Sequence, residues 1–172
     1  MNDLQFVIKP KITMDEDVFS SFGHHEDELS ACHGEESFPS GKGEQKQPIG
    51  GIKEREALKI LFENLNKYQL IRLPIIPERD IMHLSGRVKI YDYTGKLDQS
   101  KYKIKIEELS KYFEYDNLGQ PEFELMAAAE NAKIDVLLTF NKTLLEERNK
   151  FKEKGVLKFE IMRPSEYVRK YI

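Results

Sequence analysis

Oxygen-bearing side chains follow two apolar stretches of this chain, at positions where a parallel sheet would bring them together. Asp15 and Asp17 come directly after an extended-favouring tetrapeptide, and Thr139 and Asn141 come after a short, strongly apolar run. Hard divalent cations prefer oxygen ligands, and the end of a strand holds such a ligand in a fixed place. Each of these residues has a second explanation, because Asp and Asn are also common N-caps of a following helix.

Alternating helical and extended patterns surround these residues and must position them. The clearest helix is Lys53–Tyr68, whose apolar residues recur at helical spacing. Strand Leu70–Ile76 follows, then a short helix that Pro77 opens and Gly86 closes. The remaining predicted elements are a hairpin or two short strands within Arg87–Ile106 and the segments Glu107–Phe113 (helix), Glu122–Ala132 (helix), Asp135–Phe140 (strand), Thr143–Lys154 (helix), Val156–Met162 (strand) and Pro164–Tyr171 (helix).

This alternation predicts an α/β fold with an open, mainly parallel sheet and helices on both faces. We expect a single domain over residues 1–172, interrupted by a flexible insertion at 20–51. The insertion is rich in Gly, Ser, His, Glu and Gln and has too few large apolar residues to offset the entropy of ordering it.

Composition narrows the classes of function. The chain has 27 basic and 30 acidic residues and a formal charge of −3, which argues against a strongly basic, non-specific DNA binder. One cysteine, Cys32, excludes an internal disulfide and fits a reducing compartment. No apolar run approaches the length of a membrane span. We therefore expect a soluble, cytoplasmic protein without a membrane partner.

The two strand ends and the Ala-rich segment after Glu122 together resemble the PIN-domain nuclease family. In that family a first strand runs into Asp, any residue, then Asn or Asp, which corresponds to Asp15 and Asp17 here. A later buried strand of the family ends in Thr-x-Asp or Thr-x-Asn, which corresponds to Thr139 and Asn141. The resemblance implies that Asp15 is a metal-binding carboxylate and that Asn141 completes the site with Thr139 beside it.

Further acids follow from the same resemblance. An acid usually opens the Ala-rich helix of the family, and Glu122 matches it best, with Glu124 as the alternative. Acidic residues are in any case favoured in a first helical turn. The family also places a Glu in the helix after the second strand; here Asp80 is the preferred match, and Glu78 and His83 are alternatives. His83 is also explained as an ordinary half-exposed histidine.

The resemblance implies a metal-dependent ribonuclease that uses Mg²⁺ or Mn²⁺ to hydrolyse single-stranded RNA. Asp15, Glu122, Asp80 and Asn141 would hold the metal. RNA is the expected partner; an antitoxin protein, as for the toxin of a toxin–antitoxin pair, and a second copy of the chain are open partners. The alternative is a catalytically degenerate PIN-like module that binds RNA or protein, which Asn141 in place of Asp favours. An unrelated nucleotide-binding fold is disfavoured because no Gly-rich phosphate loop is present.

Two segments carry weaker signals. The predicted insertion contains His24, His25, Cys32 and His33, which are zinc-ligand types, but their spacing matches no zinc finger and incidental metal affinity explains them as well. The segment 87–105 interleaves lysine and tyrosine residues, a combination that neutralises phosphates and stacks on unpaired bases. An edge strand kept soluble by lysines is the simpler interpretation.

Overall fold

Five short parallel strands form the centre of the molecule. The computed structural model describes residues 8–24, 53–113 and 118–172. The strands are β1 (Lys11–Met14), β2 (Gln69–Arg72), β3 (Ile90–Asp92), β4 (Val136–Leu138) and β5 (Glu160–Met162). Their order in the sheet is β3-β2-β1-β4-β5, every pairing is parallel, and the sheet is not closed. The predicted α/β fold with an open parallel sheet is confirmed.

Six α-helices within the described residues connect and cover the strands. They are α1 (Glu16–Ser21), α2 (Glu54–Glu63), α3 (Gln99–Tyr112), α4 (Gln120–Asn131), α5 (Lys142–Lys154) and α6 (Pro164–Tyr171). The chain moves from β1 to β2 in one direction and from β4 to β5 in the other, so right-handed crossovers place helices on both faces of the sheet. Helix α3 packs on α4, and α2 packs on α6.

Burial explains why the two central strands are the most apolar segments. All three residues of β4 are buried, and so are the last three of β1. A strand covered on both faces needs apolar side chains at every position, and each buried aliphatic side chain stabilises the fold by about 1.5–3 kcal/mol. The hydroxyl group of Thr13, within β1, is satisfied because it donates to the carbonyl oxygen of Ile71 at 2.7 Å.

The hairpin predicted within Arg87–Ile106 is wrong. Only β3 is extended there, and it pairs in parallel with β2, whereas the second half of the segment belongs to helix α3. The N-cap of α3 is Asp98, whose side chain accepts from the backbone N–H of Lys101 at 3.2 Å. Helical spacing brings one set of side chains to the core, which also explains the apparent alternation with lysines: Tyr102, Ile106, Leu109 and Phe113.

Two further predictions need correction. The helix expected between Pro77 and Gly86 is instead a pair of 3₁₀ turns, Glu78–Asp80 and Met82–Leu84. The predicted insertion 20–51 starts too early, because residues 20 and 21 complete α1 and Phe22 is buried in the core. Residues 25–51 of that insertion, with His25, Cys32 and His33, lie outside the described residues. In the ranges that the structure covers, no helix is long and apolar enough to cross a membrane.

Two basic side chains hold the outer parts of the fold together. Lys105 of α3 donates to the carbonyl oxygen of Val156 at 2.9 Å and lies 3.2 Å from carboxylate oxygens of Glu108 and Glu130. Lys105 therefore links α3 and α4 to the segment before β5.

At the outer edge of the sheet, Arg148 of α5 forms a two-bond pair with Glu166 of α6, with N–O distances of 2.7 and 2.9 Å. The same guanidinium donates to the carbonyl oxygen of Ile161 at 3.3 Å. Glu160 and Met162 bond to the β4 side, so the backbone groups of Ile161 point away from the sheet.

Candidate functional site

The carboxyl ends of β1 and β4 meet at the point where the sheet changes its direction of winding. The strands to one side of this point are β2 and β3, and β5 lies on the other side. The backbone N–H of Asp15 donates to the carbonyl oxygen of Leu138 at 3.1 Å, which places the residue after β1 directly beside the end of β4. Ligands of open α/β sheets bind in the crevice at such a switch point.

Asp15 is nearly enclosed at this point, with an exposed fraction of 8%. Its Oδ1 accepts a hydrogen bond from the backbone N–H of Val18 at 3.2 Å, so Asp15 is the N-cap of α1. Its Oδ2 accepts a hydrogen bond from the hydroxyl group of Thr139. The capping interpretation is therefore correct, and it coexists with a position at the switch point of the sheet.

Thr139 and Asn141 continue this network along the chain. Thr139 is fully buried, and its hydroxyl oxygen accepts from the backbone N–H of Asn141 at 2.9 Å while the hydroxyl donates to Asp15. The side-chain Oδ1 of Asn141 accepts from the backbone N–H of Leu144 at 3.1 Å and caps α5. The structure thus brings Asp15, Thr139 and Asn141 together, with each strand end leading directly into a capped helix.

Burial changes the acidity of Asp15. The pKa of the Asp15 carboxyl is raised to about 6, mainly because of desolvation and to a smaller extent because of the nearby Asp17, while the hydrogen bonds from Thr139 and Val18 lower it. A carboxyl with this pKa is mainly ionised at neutral pH despite its burial. A poorly solvated anion in a crevice is a feature typical of functional sites, because a bound cation would compensate for the lost hydration.

A second acidic pair lies next to this network. Burial and then the neighbouring Asp80 carboxyl raise the pKa of Glu16. The Oδ2 atom of Asp80 is buried and, within the described residues, has no hydrogen-bond partner. Sequence reasoning missed Glu16, although its position between Asp15 and Asp17 was a signal. The structure therefore places Asp80 beside Glu16 rather than in contact with Asp15.

The structure does not join Glu122 to the network. Its Oε2 accepts from the backbone N–H of Gly119 at 2.9 Å, which is a capping interaction in the first turn of α4. Helix α4 leads into the parallel strand β4, so its first turn lies at the same end of the sheet as Asp15. Of the alternatives, Glu124 accepts from the side chain of Gln120 at 3.3 Å and Glu78 is exposed.

His83 has a structural role in this arrangement. Its Nε2 lies 2.6 Å from the carbonyl oxygen of Phe22, and its ring stacks on that of His24 with centroids 4.1 Å apart. Burial lowers the pKa of His83, so the neutral ring donates through Nε2 at neutral pH. His83 therefore fixes the end of α1, which supports its interpretation as an ordinary half-buried histidine.

Among the described residues, the side chains at the strand ends do not form a metal centre by themselves. Across residues 8–24, 53–113 and 118–172, no group of three or more Asp, Glu, His or Cys side chains is arranged to hold a metal ion. Mg²⁺ is usually bound through only one or two carboxylates, with waters and substrate phosphates as the other ligands. Asp15 and Asp80 are carboxylates of that type, but the structure does not bring them into contact with each other. A metal ion bound there would therefore depend on ligands from outside the protein.

Comparison of the chain with protein-family models, with curated proteins and with solved structures finds no match.

Proposed function

We propose that this chain is a metal-dependent ribonuclease with a PIN-like fold. The observation that carries the proposal is the buried, mainly ionised Asp15 carboxylate at the switch point of the sheet, held by Thr139. A poorly solvated carboxylate destabilises the fold. A functional role for Asp15 is therefore the simplest explanation of its burial. The polar residues at the ends of β1 and β4 are the ones on which the resemblance in the sequence rests.

The residues have distinct roles in this proposal. Asp15 holds Mg²⁺ or Mn²⁺, and Asp80, Glu122 and Asn141 are the further ligands that the resemblance implies. A divalent ion there would lower the pKa of a bound water and neutralise charge on the phosphate. Thr139 keeps the Asp15 carboxylate ionised and oriented, since its hydroxyl group donates to Oδ2 and is itself fixed by Asn141.

Single-stranded RNA is the substrate that this geometry favours. The proposed site lies at the carboxyl edge of the sheet, and an extended, flexible strand can follow such an edge more easily than a rigid duplex. The proposal places the enzyme in the cytoplasm. An antitoxin protein that covers the site and a second copy of the chain are proposed partners in that setting.

A second function has a specific observation in its favour. The side-chain oxygens of Glu122 and Asn141 serve as helix caps, and the described residues contain no three-ligand group. A PIN-like module that binds RNA or protein without cleavage would have this arrangement.

Cleavage of an end-labelled, unstructured RNA in the presence of Mn²⁺ or Mg²⁺ tests the two functions. We expect cleavage by the wild type, loss of cleavage with EDTA, and loss of cleavage in Asp15→Asn. Asp135→Asn is the matched control, because Asp135 also joins β1 to β4 but at the opposite end of the strands, where it accepts from the backbone N–H of Lys11 at 2.8 Å. Equal cleavage by Asp15→Asn and wild type would refute the proposal. RNA binding without cleavage by any variant would support the second function.

A further inference from the structure

A groove runs along the outer side of β5, between α5 and α6. This β5 groove has a volume of about 530 Å³ and is open to the solvent. Its floor is apolar and includes Leu157 and Phe159. The charged residues that line it are Arg148, Lys152, Lys158, Glu160, Glu166 and Lys170.

The groove is locally basic in an acidic chain. Four cationic side chains face two carboxylates, although the whole chain has a formal charge of −3. Arg148 pairs with Glu166, and Lys170 lies 3.2 Å from Glu160. Lys152 and Lys158 are exposed and form no ion pair with any described residue, so the excess positive charge belongs to these two lysines.

One residue that lines the groove is hydrogen-bonded to the candidate site. Met162 is the last residue of β5 and lines the groove, and its carbonyl oxygen accepts from the backbone N–H of Thr139 at 2.9 Å. Thr139 in turn donates to Asp15. Neighbouring strands lie about 4.8 Å apart, so the groove begins within about two strand widths of the Asp15 carboxylate.

We infer that the β5 groove binds the backbone of the RNA strand that passes over the Asp15 site, an inference that rests on the proposed function. Lys152 and Lys158 neutralise phosphates downstream or upstream of the cleaved bond, and the apolar floor accepts the sugar and base faces. Because the contacts are with phosphates, the groove adds affinity for single strands without selecting a sequence.

Binding of fluorescent oligouridylate in EDTA, where cleavage is absent, tests the inference. We expect the double variant Lys152→Glu/Lys158→Glu to bind at least about tenfold more weakly than the wild type, with a salt dependence shallower by about 1.4 in log–log slope, since each phosphate contact contributes about 0.7 for a single strand. The matched control is Lys103→Glu on the exposed surface of α3, which should bind like the wild type. Equal thermal stability of the three proteins shows that the exposed substitutions leave the fold intact.

The outcomes separate this inference from the proposed function. If the wild type binds oligouridylate and the double variant does not, the β5 groove is an RNA-binding surface, even when no protein cleaves RNA with Mn²⁺. If the double variant binds like the wild type, the inference is wrong, whether or not RNA is cleaved. Binding of a polyglutamate peptide but not of oligouridylate by the wild type would also overturn the inference. The groove would then fit an acidic protein partner.

Discussion

The hydroxyl group of Thr139, at the end of β4, donates a hydrogen bond to Oδ2 of Asp15, at the end of β1. The two residues are 124 positions apart in the chain, and the bond joins the two central strands where the helices α1 and α5 begin. Because the same hydroxyl accepts from the backbone N–H of Asn141, removal of the Thr139 hydroxyl affects both Asp15 and Asn141.

Replacing Asp15 should stabilise the fold at neutral pH. The pKa of Asp15 is raised from 3.8 to about 6, so between these pH values the folded protein keeps a proton that the unfolded chain has lost. The free energy of unfolding therefore falls as the pH rises through this window and stays lower above it. Each pKa unit corresponds to about 1.4 kcal/mol. Part of this is offset by the altered hydrogen bond to Thr139, so we expect the free energy of unfolding of Asp15→Asn to exceed that of the wild type by about 1–2 kcal/mol at neutral pH.

Denaturant unfolding of Asp15→Asn and wild type at several pH values measures this gain. The difference should shrink toward acidic pH, where Asp15 is protonated in both states. A variant that is less stable than the wild type at every pH would contradict a destabilising buried charge.

Removing the Thr139 hydroxyl should destabilise the fold and make Asp15 less acidic. Thr139→Val keeps the shape but leaves Oδ2 of Asp15 and the backbone N–H of Asn141 without their partner, at a cost of about 1–3 kcal/mol. The pKa of Asp15 should then rise above that of the wild type, because the Thr139 hydrogen bond lowers it. NMR titration of the Asp15 carboxyl carbon measures the shift. Thr139→Ser retains the hydroxyl and should show an Asp15 pKa close to that of the wild type.

Divalent cations should stabilise the protein in a pH-dependent manner. A ligand at tenfold excess over its Kd adds about 1.4 kcal/mol to the folded state. Protonation of Asp15 competes with the cation, so the increase in Tm with Mg²⁺ or Mn²⁺ should be large at neutral pH and small at about pH 5. Asp135→Asn should keep this increase and Asp15→Asn should lose it. An increase of the same size in Asp15→Asn would place the cation elsewhere.

Removing the Lys105 ammonium should weaken the packing of α3 and α4. Lys105→Met leaves Glu130 and the carbonyl oxygen of Val156 without a partner, and we expect a loss of about 1–3 kcal/mol. Burial lowers the pKa of Lys105, but hydrogen bonds to the two glutamates outweigh this and raise it above 10.5 in the folded protein. The contribution of Lys105 to the free energy of unfolding is therefore complete below pH 10.5, the pKa in the unfolded chain, and is lost as the pH rises through the folded-state pKa. Chemical unfolding at neutral pH measures the loss, with the exposed Lys103→Met as the control.

The central part of the fold could be predicted from the sequence because local and global signals agree there. Residues 135–140 form an apolar run with a polar end, and the observed β4 with Thr139 and Asn141 after it follows that pattern. Helix α6 begins at Pro164, as an N1 proline predicts, and ends where it was expected, at Tyr171. The predicted strands were too long, since β5 covers only the last three residues of 156–162.

The periphery could not be predicted, for physical reasons. The lysines of α3 occur at every second position, so a short window shows the period of a strand; only the longer set from Tyr102 to Phe113 shows the helical period. The pairing of Asp80 with Glu16 depends on how two 3₁₀ turns pack against α1, which no local pattern encodes. The bond from Glu122 to Gly119 depends on the conformation of the turn before α4, where a capping role and a site role have the same sequence signal.

The ion pair between Arg148 and Glu166 affects how the edge of the sheet can associate with other molecules in concentrated solution. The last strand of an open sheet normally offers its outward carbonyl groups to the strand of another molecule, which is a route to fibrils. Here the guanidinium already occupies the outward carbonyl oxygen of Ile161, and an incoming chain would have to displace a two-bond ion pair to reach it. The sheet therefore ends in a charged side-chain pair that disfavours pairing with the strand of another copy.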